Sequence, residues 1–163
     1  MDNAHSGLRS AAVFALCGLF AVLAVGLAAL SGGVYRAAAL DSDQNYVRRT
    51  ALSYLVNQVR RAAAGGGVAV GSFGGADALA LTEEVDGTPY VTVLYCYDGE
   101  LRELYAEAGS GLGPGDGIPV LELQALELEA EDGLLTITVT APDGEDAAAS
   151  LAPRCGLEEV GAL

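Results

Sequence analysis

The chain has 163 residues, with 22 acidic residues against eight basic ones, all arginine, and neither Lys nor Trp. Its charge of −14 is unevenly held: residues 1–64 carry six arginines against three aspartates (+3), and residues 65–163 carry two arginines against nineteen acids (−17). So acidic a C-terminal region repels phosphate backbones and excludes nucleic acid as its partner, while 52% hydrophobic residues and a mean hydropathy of +0.36 exclude a chain disordered by composition.

After a tail over residues 1–10, residues 11–30 read AAVFALCGLFAVLAVGLAAL, twenty residues without a charge, an amide or a proline. As a helix this stretch is about 30 Å long, the thickness of a bilayer's hydrocarbon core. Arg9 and Arg36 bracket it, and Tyr35 adds an interfacial aromatic. Three readings compete: a retained anchor, a cleaved secretory signal ending near Ala37-Ala38-Ala39, and a buried core helix. The run exceeds the apolar core of about 7–15 residues usual in a signal, and the remaining chain is too small to surround a core helix. A transmembrane helix is therefore expected over residues 11–33, with the lipid bilayer as first partner. Ala15, Gly18 and Gly26 are small residues through which such a helix associates laterally. Cys17 follows Leu16, too large a residue for a lipid-modification signal, and reads as a packing residue. Arginine counts at the two ends favour a cytoplasmic C-terminus. The ten-residue tail and the long acidic region suit the opposite orientation, an extracytoplasmic C-terminal domain, which is the expectation adopted.

Ser31-Gly32-Gly33 marks a weak point, followed by an amphipathic helix expected over residues 34–64, with Asp41 or Ser42 as its cap. Val47, Ala51, Tyr54, Leu55, Gln58, Val59 and Ala62 recur at intervals of three and four on one face. Arg49, Ser53, Asn57 and Arg60 fall opposite, and Gly65-Gly66-Gly67 stops the helix. Arg48, Arg49, Arg60 and Arg61 suit an anionic lipid or an acidic partner. They equally suit a solvated helix face, or attraction to the −17 region of the same chain.

Residues 65–163 change to a period of two and form an acidic antiparallel β domain. Asp-Gly pairs at Asp86, Asp98, Asp116, Asp132 and Asp143 are expected to supply the positive φ of tight turns. YVTVLYCY over residues 90–97, then Asp98-Gly99, then residues 100–105 predict a hairpin. Residues 109–117 form a glycine-rich connector. Residues 119–131 alternate leucine with carboxylate, and the parity flips at Ala125-Leu126, which predicts a bulge or break. After Asp132-Gly133, Leu135, Ile137 and Val139 point inward and Thr136, Thr138 and Thr140 outward. Short strands near residues 68–70, 79–81 and 148–151 complete the sheet. The fold expected is α+β: a long N-terminal helix, transmembrane in its first half and amphipathic in its second, packed on a small antiparallel sheet.

No reaction is legible. His5, the sole histidine, lies before the apolar run, and the lack of Lys removes Schiff-base chemistry. Glu122, Glu127, Glu129, Glu131 and Asp132 read as a solvated face, so no enzyme and no cofactor is expected. Asp41-Ser42-Asp43 begins like a calcium loop, but Tyr46 and Leu52 stand where that loop needs Gly and Glu. Asp143-Gly144-Glu145-Asp146 and Asp86-Gly87 read as turns or as weak calcium sites. Cys96 and Cys155 are able to pair as a disulfide if the domain is exported. Two separate thiols is the other reading.

This layout of tail, apolar span, amphipathic continuation and small antiparallel sheet resembles type IV pilins and the pseudopilins of type II secretion and competence systems. Gly7-Leu8 resembles the pilin processing site, but Ala12 stands where pilins carry a Glu. A closer resemblance is to an uncharacterised family of short single-span bacterial membrane proteins. It rests on Val34-Tyr35-Arg36, on Arg49-Thr50-Ala51-Leu52-Ser53-Tyr54 with Asn57 and Val59-Arg60, and on Tyr95-Cys96-Tyr97-Asp98-Gly99-Glu100-Leu101-Arg102-Glu103-Leu104. The resemblances imply a single-pass structural or assembly protein beside other pilin-like or membrane-complex subunits. The other class open is an anchored, exported binding or sensor module working through acidic, calcium-binding turns.

Overall fold

The structure, a computed structural model, describes residues 2–161, with side chains described at 13–27 and 45–161. It is α+β. Helix α1 covers Asp2–Ala62 and is followed by β1 (Gly67–Phe73), β2 (Ala76–Val85), β3 (Thr88–Tyr97), β4 (Glu100–Glu107), β5 (Ile118–Glu122), β6 (Ala125–Glu131), β7 (Leu134–Thr140), β8 (Asp146–Leu151) and β9 (Glu158–Glu159). The chain divides into two compact units, residues 1–42 and 43–163. The division runs within α1, whose residues 43–62 belong with the strands.

In the first unit α1 takes in most of the expected tail and passes through Ser31-Gly32-Gly33 and Asp41-Ser42. No second helix starts there. Two glycines cost a helix about 1 kcal/mol each, which weakens it without ending it. Val13, Phe14, Leu16, Leu19, Phe20, Val22, Leu23, Val25 and Leu27 are all exposed. Among the described residues no helix is long and apolar enough to cross a membrane. The expected span reaches past them, since the side chains of residues 11–12 and 28–33 lie outside the described set, as do those of His5, Arg9, Tyr35, Arg36, Asp41 and Ser42.

The second unit holds two sheets rather than the one expected. The larger has the order β5-β4-β3-β2-β1-β9 and the smaller β6-β7-β8. All pairings are antiparallel except the two-residue parallel contact of β9 with β1. The predicted break falls at Leu123-Gln124. There the Leu123 N–H donates to the Gly99 carbonyl of the larger sheet (3.0 Å), and the next N–H, of Gln124, donates to Thr140 of the smaller (2.9 Å). One residue thus hands the chain from sheet to sheet, and the fully buried Leu123 side chain anchors the step.

Ala51, Leu55 and Val59 recur every four residues, lie on one helix face and are fully buried. They join Val68, Val70, Leu79, Leu81, Leu94 and Leu101 of the larger sheet and Leu126, Leu128, Leu135, Ile137 and Val139 of the smaller in one core. Alternation along the strands sends Phe73, Ala78, Val93, Tyr95 and Leu104 to the opposite face of the larger sheet, where they form a second cluster. Three turns adopt the conformation expected of Asp-Gly, with φ of 52° and 80° at Asp86-Gly87, 54° and 77° at Asp98-Gly99, and 51° and 78° at Asp132-Gly133. Asp143-Gly144 turns with a positive φ at the glycine alone. Asp116-Gly117 has no positive φ and is not a hairpin turn, a correction to the expectation. The Asp116 carboxylate instead accepts from the Gly113 N–H (2.7 Å) within the connector.

Candidate functional site

The four arginines expected to meet lipid or a partner do not form one surface. Arg48 stands three residues before Ala51 and seven before Leu55, so helix geometry turns it inward. It is only 9% exposed. One guanidinium nitrogen donates to Asp143 Oδ2 at 2.7 Å and the other to Asn45 Oδ1 at 2.9 Å. Asp143 lies in the β7–β8 turn, and its Oδ1 also accepts from the Glu145 N–H at 3.0 Å. That N–H first, and the Arg48 guanidinium beside it, hold the Asp143 carboxyl below its ordinary value. Arg48 therefore ties α1 to the smaller sheet and is withdrawn from the docking set. Charge alone had placed it on the surface. The same bonds engage both carboxylate oxygens of Asp143, and Asp146 Oδ1 accepts from the Thr140 hydroxyl at 2.8 Å.

Arg49, Arg60 and Arg61 are exposed, and among the described residues none of them has an ion pair. Arg60 and Arg61 open onto different grooves. Arg61 lines one of about 490 Å³ with Gln58, Thr82, Glu83, Glu103 and Tyr105. At its side the Tyr54 hydroxyl donates to Glu103. Burial, and then that carboxylate, push the Tyr54 phenol above its ordinary value. The bonded Glu83 carboxylate does the same for Tyr105. A guanidinium among carboxylates and neutral phenols offers hydrogen bonds and charge to a ligand but no activated nucleophile. Arg60 lines the second groove with Val59, Ala63, Leu151, Pro153 and Arg154. Among the described residues no group of three or more His, Cys, Asp or Glu side chains is placed to hold a metal ion.

On the other face of the larger sheet the connector folds over the aromatic cluster. Tyr95 packs edge-on to Phe73 (centroids 4.9 Å apart) and donates to the Pro114 carbonyl at 2.8 Å. Burial raises its phenol pKa. A Cβ on Gly117 would collide with the Tyr95 hydroxyl, and one on Gly74 with Pro114. These glycines are where the connector approaches the sheet.

Cys96 and Cys155 are both free thiols, so the disulfide considered from the sequence is absent. The Cys96 thiol donates to the Leu123 carbonyl at 3.1 Å, and burial raises its pKa. Cys155 is exposed and donates to its neighbour Gly156. Ala15 is exposed, and a Cβ on Gly18 or Gly26 would meet nothing within 4 Å. Sequence reasoning missed the Arg48–Asp143, Tyr54–Glu103 and Tyr95–Pro114 contacts. Each joins residues distant in the chain, and only the inward helix position of Arg48 gave a local signal.

No curated protein and no solved structure matches the chain. Residues 46–142, more than half of the chain, match a family model described as a domain of unknown function, DUF4860. The match begins in the part of α1 that carries the core face and the arginines, and runs through β7, so it takes in the Tyr95–Leu104 hairpin that carried the closer resemblance. The chain belongs to the DUF4860 family.

Proposed function

We propose that this protein is a non-enzymatic, single-pass membrane-anchored structural or assembly subunit, similar to a minor pilin or pseudopilin, with its acidic domain outside the cytoplasm. The observation that carries this reading is the run of exposed large apolar side chains at residues 13–27, Phe14 at 77% and Phe20 at 74% exposure among them. A helix face of this size in water is a strong drive to insert in lipid or join other helices. The apolar sequence of residues 11–30 extends that run to bilayer length. The core of residues 43–163, a helix laid on antiparallel strands, supports a pilin-like layout. Lateral contacts would run through Ala15, Gly18 and Gly26, where the helix surface is smooth. Arg49 and Arg61 remain available to acidic neighbours or lipid headgroups.

The alternative, a calcium-dependent binding module, is disfavoured by the occupied carboxylates of Asp143 and Asp146. Extraction of the tagged full-length chain from its native membranes in mild detergent separates the two. The subunit reading predicts a complex several times the mass of the chain, containing other helix-anchored proteins. A monomer whose melting temperature rises in millimolar calcium would replace it with the binding reading.

A further inference from the structure

Strand β8 is an edge of the smaller sheet. Edge strands that remain solitary carry charges, proline or bulges that block pairing. The opposite edge, β6, follows that rule. It presents Glu127 and Glu129, and its Leu128 N–H is taken by Asp77 Oδ2 at 3.0 Å. β8 does not. It reads DAAASL, pairs with β7 in unbroken register from Thr140↔Asp146 to Leu135↔Leu151, and has no charge after its first residue. Its core-facing side is also unfinished. Leu135, Ile137 and Val139 of β7 are fully buried, whereas Ala147, Ala149 and Leu151 of β8 are only half-buried. The two ends of the strand carry opposite charge. Exposed Glu145 and Asp146 stand at its start, and exposed Arg154 follows its end, beside the Arg60 groove. Among the described residues Arg154 and Arg60 have no ion pair.

We propose that β8 pairs antiparallel with β8 of a second copy of this chain, across a two-fold axis, to give one continuous sheet of six strands. The charge pattern selects this occupant because it is self-complementary. A two-fold centred on Ala149 or Ser150 lays the Glu145-Asp146 end of each copy beside the Arg154 end of the other. Both registers keep the half-buried alanines and Leu151 on the core side, since a residue opposite itself preserves the strand's alternation. Pro153, lacking an N–H, ends the ladder just past the strand. This pairing does not depend on the membrane reading.

The test is sedimentation equilibrium of the full-length chain in density-matched detergent. Wild type is expected to dimerise reversibly. Glu145→Arg with Asp146→Arg, and separately Arg154→Glu, should each weaken dimerisation by about tenfold or more through like-charge contact. The three substitutions combined should restore it. All positions are exposed, and far-UV circular dichroism unchanged from wild type confirms the fold of each variant. A monomeric wild type would overturn the proposal. So would a dimer equally stable in every variant, which would locate self-association elsewhere and leave the subunit reading standing.

Discussion

Arg48 shows how one residue changes meaning between sequence and structure. A charged residue on an amphipathic helix is expected in water, yet its spacing from Ala51 and Leu55 puts it on the core face, where the Asp143 turn meets it at 2.7 Å. Asp143 has a folded pKa below its ordinary 3.8, so it stabilises the fold above that value, and the contribution is lost as pH falls from 3.8 through the lower folded value. Arg48→Met removes the guanidinium's share of the shift and leaves that of the Glu145 N–H. Urea midpoints followed by tyrosine fluorescence should therefore fall less between about pH 5 and about pH 2 in the variant than in wild type. Equal falls would mean that the ion pair adds nothing to the shift. Gly117 lies directly against the Tyr95 hydroxyl. Its replacement by Ala forces a Cβ against the buried Tyr95 hydroxyl, at a cost of about 1–3 kcal/mol. Gly115→Ala meets nothing within 4 Å and should leave the urea midpoint unchanged.

At the scale of elements, the strands and three of the Asp-Gly turns were legible because each is set by neighbours in the chain. Alternation fixes Leu135, Ile137 and Val139 inward, and Asp98-Gly99 closes its hairpin by the φ its residues tolerate. The division into two sheets was only half legible. The parity flip marked the break, but where the chain goes next depends on Leu123 and Gln124 bonding to distant partners, which no local pattern encodes. Helix α1 contributes Leu55 to the centre of the core, and Leu55→Ala should lower unfolding stability by about 2–5 kcal/mol, a transfer loss plus a cavity. Leu52→Ala, at a partly buried position, should cost less in the same urea titration. Equal losses would show that α1 does not seat on the sheets through the Ala51–Leu55–Val59 face.

At the scale of the whole molecule, charge and hydropathy are segregated along the chain. A solvated apolar helix comes first and a carboxylate-covered β domain second. The apolar run and the acidic excess were plain in composition, since both are sums over residues and need no geometry. The grooves, the meeting of Arg60 and Arg154 in one of them and the open β8 edge were not, because they arise only when separate elements are brought together. The functional reading rests on the apolar helix lying in lipid. Its most direct test is fractionation of cells that make the full-length chain, with the membrane pellet washed in alkaline carbonate. A lipid-embedded chain stays in the washed pellet and is released only by detergent, whereas recovery in the carbonate supernatant or the first aqueous fraction would contradict that placement.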